Sequence, residues 1–210
     1  MRGIKNFIKK LFGFAIFLVI VLIIGRIFLF EVAATKSYAM VPNLVSGDVF
    51  LVYKRILLGP GDIAVCRNPE DPQSNIVLRI VGVPGSTVSI SNDHVFINDN
   101  LVERSFEGQL LYEDHRAEET LEYFVDIAHS FVGGHAYALA FMDRAGGKNF
   151  RKHTVNDGFF VLGDNRNMAR DSRHFGEVTV DDCVGKAVLL LWPAEDNGDL
   201  KWKDRFLDIL

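Results

Sequence analysis

A mainly β body carried on one N-terminal transmembrane helix is the fold class this sequence predicts, and two observations predict it. Residues 11–30 read LFGFAIFLVIVLIIGRIFLF, about 20 residues broken by a single charge, Arg26, which is long enough to cross a bilayer. Beyond that run, short stretches rich in Val, Ile, Phe and Leu alternate with turn signals, the pattern of strands rather than of helices.

The elements follow in order. Residues 1–10 form a basic leader with Arg2, Lys5, Lys9 and Lys10, and no Asp or Glu occurs before residue 31. The net charge of −4 therefore divides into +5 for residues 1–30 and −9 for residues 31–210. Positive charge is retained on the cytoplasmic side, so the leader stays inside and residues 31–210 are expected outside. A cleavable signal peptide is the competing reading, because Val32, Ala33, Ala34 and Thr35 are small. The apolar run is too long for that, and an uncleaved anchor is expected.

Strands are expected over 49–53, 63–66, 76–83, 87–90, 94–98, 121–132, 136–142, 159–162 and 184–192. Turns fall at Gly59-Pro60-Gly61-Asp62, Pro84-Gly85, Asn92-Asp93, Gly133-Gly134 and Gly146-Gly147. Residues 100–157 are more polar and read as a β-rich insert with one or two hairpins of its own. The tail from Pro193 to Leu210 either packs as a short helix or trails.

Composition excludes several functions. An acidic exported body speaks against nucleic acid. The six histidines, His94, His115, His129, His135, His153 and His174, show no ligand spacing, and neither metal nor cofactor is expected. Cys66 and Cys183 are preferred as two separate thiols packed as small apolar groups, with a disulfide open to them outside the cytoplasm.

Three segments carry a resemblance. Residues 37–55 read SYAMVPNLVSGDVFLVYKR, residues 78–99 read LRIVGVPGSTVSISNDHVFIND, and residues 163–178 read GDNRNMARDSRHFGEV. In this order behind a basic-flanked anchor they resemble the conserved boxes of bacterial type I signal peptidases: S-x-S-M-x-P-T-L-x-x-G-D, K-R-x-x-G-x-P-G-D with a later I-N-G, and G-D-N-R-D-N-S-x-D-S-R. The resemblance implies an antiparallel signal-peptidase-like β body on the outer face of the cytoplasmic membrane. The length of the insert resembles Gram-negative members, which tilts the location toward an inner membrane with a periplasmic body.

That chemistry needs a serine nucleophile, a lysine kept neutral by burial to take its proton, a second serine to orient the lysine, and donors for the oxyanion. By resemblance the nucleophile, before Met40, falls on Ala39. The base, before Arg79, falls on Leu78, and the orienting hydroxyl, six places after Gly163, falls on Ala169. Only the oxyanion-type serine is kept, as Ser37, in a groove segment that includes Met40 and Pro42. Gly163, Asp164, Asn165, Arg166, Asp171, Ser172 and Arg173 are read as a structural turn with ion pairs that hold the groove.

Replacing a cooperating polar set by apolar residues leaves no buried orphan group, each of which costs on the order of 1–3 kcal/mol. No catalytic residue is therefore expected, and neither Lys36, Lys54 nor Lys186 is brought to Ser37 by anything in the sequence. The expected function is to bind signal-peptide-like segments without cleaving. Membrane lipid is the expected surroundings, and a secretion or pilus-assembly partner is implied by resemblance alone. The alternative is an active type I signal peptidase. Phe30, Met40, Val41 and Leu44 are expected to contribute to an apolar membrane-facing surface.

Overall fold

The computed structural model describes residues 2–114, 121–141 and 148–194. The Gly146-Gly147 turn, His115 and the tail beyond Ala194 lie outside them. Helix α1 (Arg2–Leu29) contains a candidate span, Lys9–Leu29, of 21 residues. At 1.5 Å per residue this is about 31 Å, the thickness of a hydrocarbon core. None of its window is buried against the body, so its apolar surface is left for lipid.

Strand β1 (Phe30–Ala34) follows α1 without a loop and pairs antiparallel with β2 (Val49–Tyr53), and the Phe30 and Tyr53 rings stack 5.2 Å apart. The last turn of a helix leaves carbonyls without partners. Here the Lys54 backbone N–H donates to Leu29 O at 2.8 Å, Lys54 Nζ to Ile27 O at 3.0 Å and Arg55 Nε to Phe28 O at 3.4 Å. Two cations thus complement the negative end of the anchor's dipole and tie it to the first hairpin.

The remaining strands are β3 (Ile63–Asn68), β4 (Asp71–Gly82), β5 (Thr87–Ser91), β6 (His94–Ile97), β7 (Asn100–Leu101), β8 (Arg104–Asp114), β9 (Leu121–Val132), β10 (His135–Phe141), β11 (Phe150–Thr154), β12 (Gly158–Leu162), β13 (Val178–Thr179) and β14 (Cys183–Trp192), with a one-turn helix α2 (Ser172–Phe175). They make a seven-stranded sheet, β1-β2-β14-β3-β4-β12-β13, a four-stranded sheet, β11-β5-β6-β7, and a three-stranded sheet, β10-β9-β8. Among the described residues every strand pair is antiparallel, as the resemblance implies. Of the window 100–157, β8, β9 and β10 form a sheet of their own, whereas β7 and β11 join β5 and β6.

Between β1 and β2 the chain makes a helical turn, with Leu44 N–H donating to Met40 O at 2.9 Å. Residues four apart then share a side. Met40 and Leu44 enter the core of the large sheet with Phe50, Leu78 and Phe159, while Val41 and Val45 enter a second core with Tyr112, Val125 and Ile127 of the three-stranded sheet. This one turn is clamped between two cores. Met40, Val41 and Leu44 are consequently buried and cannot form the apolar outer surface expected of them. Exposed apolar residues on β1, β14 and the segment after β2 are instead Val32, Ile56, Leu57, Leu189, Leu191 and Trp192.

The reading of two separate thiols is also corrected. Antiparallel pairing of β14 with β3 places Cys183 directly opposite Cys66, and the two are joined as a disulfide across 117 residues of sequence. Neighbouring strands decide this contact, not spacing along the chain.

The buried ionic centre is Arg79 with Asp164. Arg79 Nε donates to Asp164 Oδ1 at 2.9 Å, Nη2 to Oδ2 at 2.7 Å, and Nη1 to Gly61 O at 2.7 Å. Its guanidinium carbon lies 4.0 Å from the Tyr137 ring centroid. Burial disfavours the charged form, but Asp164, by charge and hydrogen bonds, with help from Tyr137 and Asp62, outweighs it and holds the Arg79 pKa above the ordinary arginine value.

Two outcomes follow. Arg79→Ala strands a buried carboxylate and is expected to cost about 3–5 kcal/mol in denaturant unfolding of the detergent-solubilised chain, whereas Arg170→Ala at the surface should cost little. Burial raises the Glu177 pKa, but hydrogen bonds from the Asn156 and Gly158 N–H groups and from His153 more than reverse this and leave it lowered. Its stabilising contribution is therefore full above the ordinary glutamate range and is lost as pH falls through the depressed value. Glu177→Gln should flatten that part of the acid unfolding curve.

Candidate functional site

The site lies where four pieces of backbone meet. Asn165 N–H donates to Ala39 O at 2.9 Å and its side-chain amide to Tyr38 O at 3.1 Å. On its other side the same loop bonds to β10, with Ala140 N–H donating to Asp164 O and Arg166 N–H to Ala140 O. The Asn43 amide joins Asp164 Oδ2 to Ala138 O, at 2.7 Å each. Loop 163–171 therefore stitches the Ala39 segment to the three-stranded sheet.

Within that loop Asp171 caps α2 and holds Arg173 through Nε at 2.8 Å and Nη2 at 2.7 Å, and its other face accepts from Gly163 N–H at 3.0 Å. Ser172 Oγ accepts from Val161 N–H at 2.9 Å. Asp164 takes the distant Arg79 as partner rather than its neighbour Arg166, whose guanidinium is nonetheless buried. Pro42 follows a cis peptide bond and is buried with Val41.

Ala39, Leu78 and Ala169 belong to one apolar cluster and are 7%, 2% and 4% exposed. A Cβ on Gly163 would stand 2.2 Å from Ala169 Cβ and 2.6 Å from Ala39 O, which shows how closely the 39 and 169 segments approach. Ala39 and Leu78 line a cavity of about 290 Å³ with Ser37, Ile76, Val77, Met168 and Phe175. A second cavity of about 450 Å³, between residues 31–37 and Val65, Asn75 and Val77, shares Ser37, Asn75 and Val77 with the first. The two form a continuous groove.

One wall of this groove is β4 before Arg79. There β4 pairs with β3 only, since β12 meets it at Arg79, Ile80 and Gly82. Its outer backbone edge is open among the described residues, and so is that of β1, the first strand of its sheet. Such edges accept an extended peptide through main-chain hydrogen bonds.

The hydroxyl and amine groups nearest the groove have other settings. Ser37 Oγ accepts from Ala39 N–H at 3.1 Å. Lys186 Nζ lies 2.7 Å from Asp62 Oδ1, and Lys54 is held by Ile27 O and by Glu31 at 3.6 Å. Lys36 lines the second cavity and is exposed. No group of three His, Cys, Asp or Glu side chains among the described residues is arranged to hold a metal. Asn43 and the Arg79 counterion are contacts the sequence did not reveal, since their partners stand 121 and 85 residues away.

Comparison with known proteins matches the model of the family described as signal peptidase, peptidase S26, to residues 6–192. The chain belongs to this signal peptidase family. Signal peptidase I of Streptococcus pneumoniae serotype 4 is 30% identical over 207 residues, covering 92% of this chain and 97% of its own. Signal peptidase I P of Bacillus subtilis subsp. natto is 30% identical over 181 residues, 83% of each. A crystal structure of a signal peptidase I from Enterococcus faecalis V583 covers 63% of this chain and 98% of its own at 23% identity, with a TM-score of 0.38.

Membership in the signal peptidase family and one apolar N-terminal helix mark a single-pass membrane protein. The contact between Gly163 and the two alanines supplies a check of the site's packing. Gly163→Ala should lower stability by about 1–3 kcal/mol through overpacking, measured by denaturant unfolding, with Ala169→Gly relieving part of the loss.

Proposed function

We propose that this member of the signal peptidase family holds signal-peptide-like segments in its groove without cleaving them. The observation that carries the reading is the groove floor itself, which presents the methyl of Ala39 and the isobutyl of Leu78 where acyl transfer needs a hydroxyl and an amine. Ala169 adds a third apolar group beside Gly163. Lys54 and Lys186 are both held by other partners, and Lys36, the amine that lines the second cavity, is exposed rather than buried in an apolar shell that would keep it neutral.

Placement of the body outside the cytoplasm is part of the proposal. The five positive charges of residues 1–30 favour a cytoplasmic N-terminus. The Cys66–Cys183 disulfide suits an oxidising compartment. Val32, on the strand that leaves the anchor, and Leu57, just after its partner strand β2, are exposed apolar groups that suit a body resting on the bilayer surface. A periplasmic site, and a secretion or pilus-assembly partner as the source of the bound segment, belong to the same reading.

The test is a cleavage and binding assay on the detergent-solubilised full chain. A preprotein with an A-x-A site should stay intact, while a non-cleavable signal-peptide analogue binds. Leu78 lies in an apolar shell able to keep an amine neutral, so Ala39→Ser, Leu78→Lys and Ala169→Ser together should raise cleavage by on the order of 10³-fold or more. Cleavage by the unaltered chain that disappears in Ser37→Ala would instead identify an active peptidase. Absence of analogue binding would leave a purely structural membrane protein.

A further inference from the structure

The cavity above Ala39 and Leu78 is bordered by two charges that the peptide-holding reading does not use. Glu70 comes from the turn between β3 and β4, and Arg170 from the loop after β12, 100 residues away. Both line the cavity, and they join through two hydrogen bonds, Arg170 Nε to Glu70 Oε2 and Arg170 Nη2 to Glu70 Oε1. The Arg170 and Glu70 side chains remain 65% and 37% exposed, whereas the floor beneath is almost wholly buried. The pair therefore sits at the rim.

Backbone at both ends of the bridge is firmly held. Glu70 N–H donates to Asn68 Oδ1 at 3.0 Å, the Asn68 amide to Ser74 Oγ at 3.2 Å, and Ser74 Oγ to Asp71 O at 3.1 Å. Arg170 stands between Ala169 and Asp171, both buried, and Asp171 is fixed by Gly163 and Arg173. Freedom at the rim is thus confined to the two side chains. Parting them needs rotamer changes and no movement of a strand or loop.

We infer that Glu70 and Arg170 form a salt-sensitive latch that closes the mouth of the Ala39–Leu78 cavity and opens by side-chain rotation. A bidentate guanidinium–carboxylate contact has a defined geometry, which suits it to bridging two walls. Its exposure makes it weak and subject to screening, so it holds a resting position without locking it. The Arg170 hydrogen bond lowers the Glu70 pKa, which keeps the pair charged into mildly acidic conditions. That peptide side chains enter through this mouth rests on the function proposed above; the latch itself does not.

Access to the floor reads the latch directly. In an Ala39→Cys background, labelling of the full chain in detergent by a small neutral maleimide should be slow at low ionic strength. Adding Glu70→Gln or Arg170→Gln, or raising salt with the rim unaltered, should speed it by about two- to fivefold, the scale of an exposed ion pair. Salt should have no further effect on the rim variants, and the charge exchange Glu70→Arg with Arg170→Glu should restore slow labelling. Leu57→Cys, whose native side chain is 95% exposed, is the control and should label alike throughout. Equal rates for Ala39→Cys in all rim variants and at all salt concentrations would overturn the latch. A latch that behaves as expected in a protein that binds no signal-peptide analogue, with or without Glu70→Gln, would sink the peptide reading alone.

Discussion

The Arg79–Asp164 pair is the constraint on which the arrangement of the site depends. Arg79 directly follows Leu78 on β4, and Asp164 directly follows Gly163, where the backbone contacts Ala39 and Ala169. Adjacent strand residues face opposite sides. Bonding Arg79 to Asp164 behind the sheet therefore fixes Leu78 toward the groove and loop 163–171 against the Ala39 segment. Gly61 O and the Asn43 amide complete the hydrogen bonding of the pair. A buried ion pair is poor evidence for net stability, because desolvation offsets much of the attraction. Its contribution here is positional, since removing either partner strands a charge in the core.

Around this frame the site combines a polar scaffold with an apolar floor. The framework interactions are polar and directional: Asp171 with Arg173 and Gly163, Ser172 with Val161, and Asn165 with Tyr38 and Ala39. The groove floor is apolar, with Ala39, Leu78 and Ala169 in one cluster. These two sets of residues answer to different demands. Directional contacts maintain the cleft and its open strand edges, and apolar side chains at the floor avoid the cost of buried hydroxyl and amine groups without partners. Open strand edges beside an apolar floor are the features on which the proposed holding of an extended chain rests.

Legibility of the fold varied by element for physical reasons. The anchor was readable because a bilayer demands a long apolar run, and β2, β4, β9 and β14 because Val, Ile, Leu and Phe are dense in them. Strand β8 was missed: RSFEGQLLYED carries Gly108 and four charged residues, and as the last strand of its sheet it buries Tyr112 but little else. Strand β11, FRKHT, is short and basic and is a strand through its pairing with β5. The candidate positions at the groove were legible as motif positions. Their neighbours were not, because Asn43, Glu70 and Arg79 meet partners 85 to 121 residues away.

Sequence alone determined the anchor, the charge asymmetry across it, the β character of the body and the identity of the side chains at positions 39, 78 and 169, since these depend on composition, periodicity and local motif. Tertiary structure decided what those side chains face. Strand order joined Cys66 to Cys183. One helical turn sent Met40 and Leu44 into one core and Val41 and Val45 into another. Pairing of β4 with β12 made Arg79, rather than Arg166, the counterion of Asp164. Each of these contacts is set by which strands become neighbours, and strand order is a property of the whole chain's packing rather than of any segment within it.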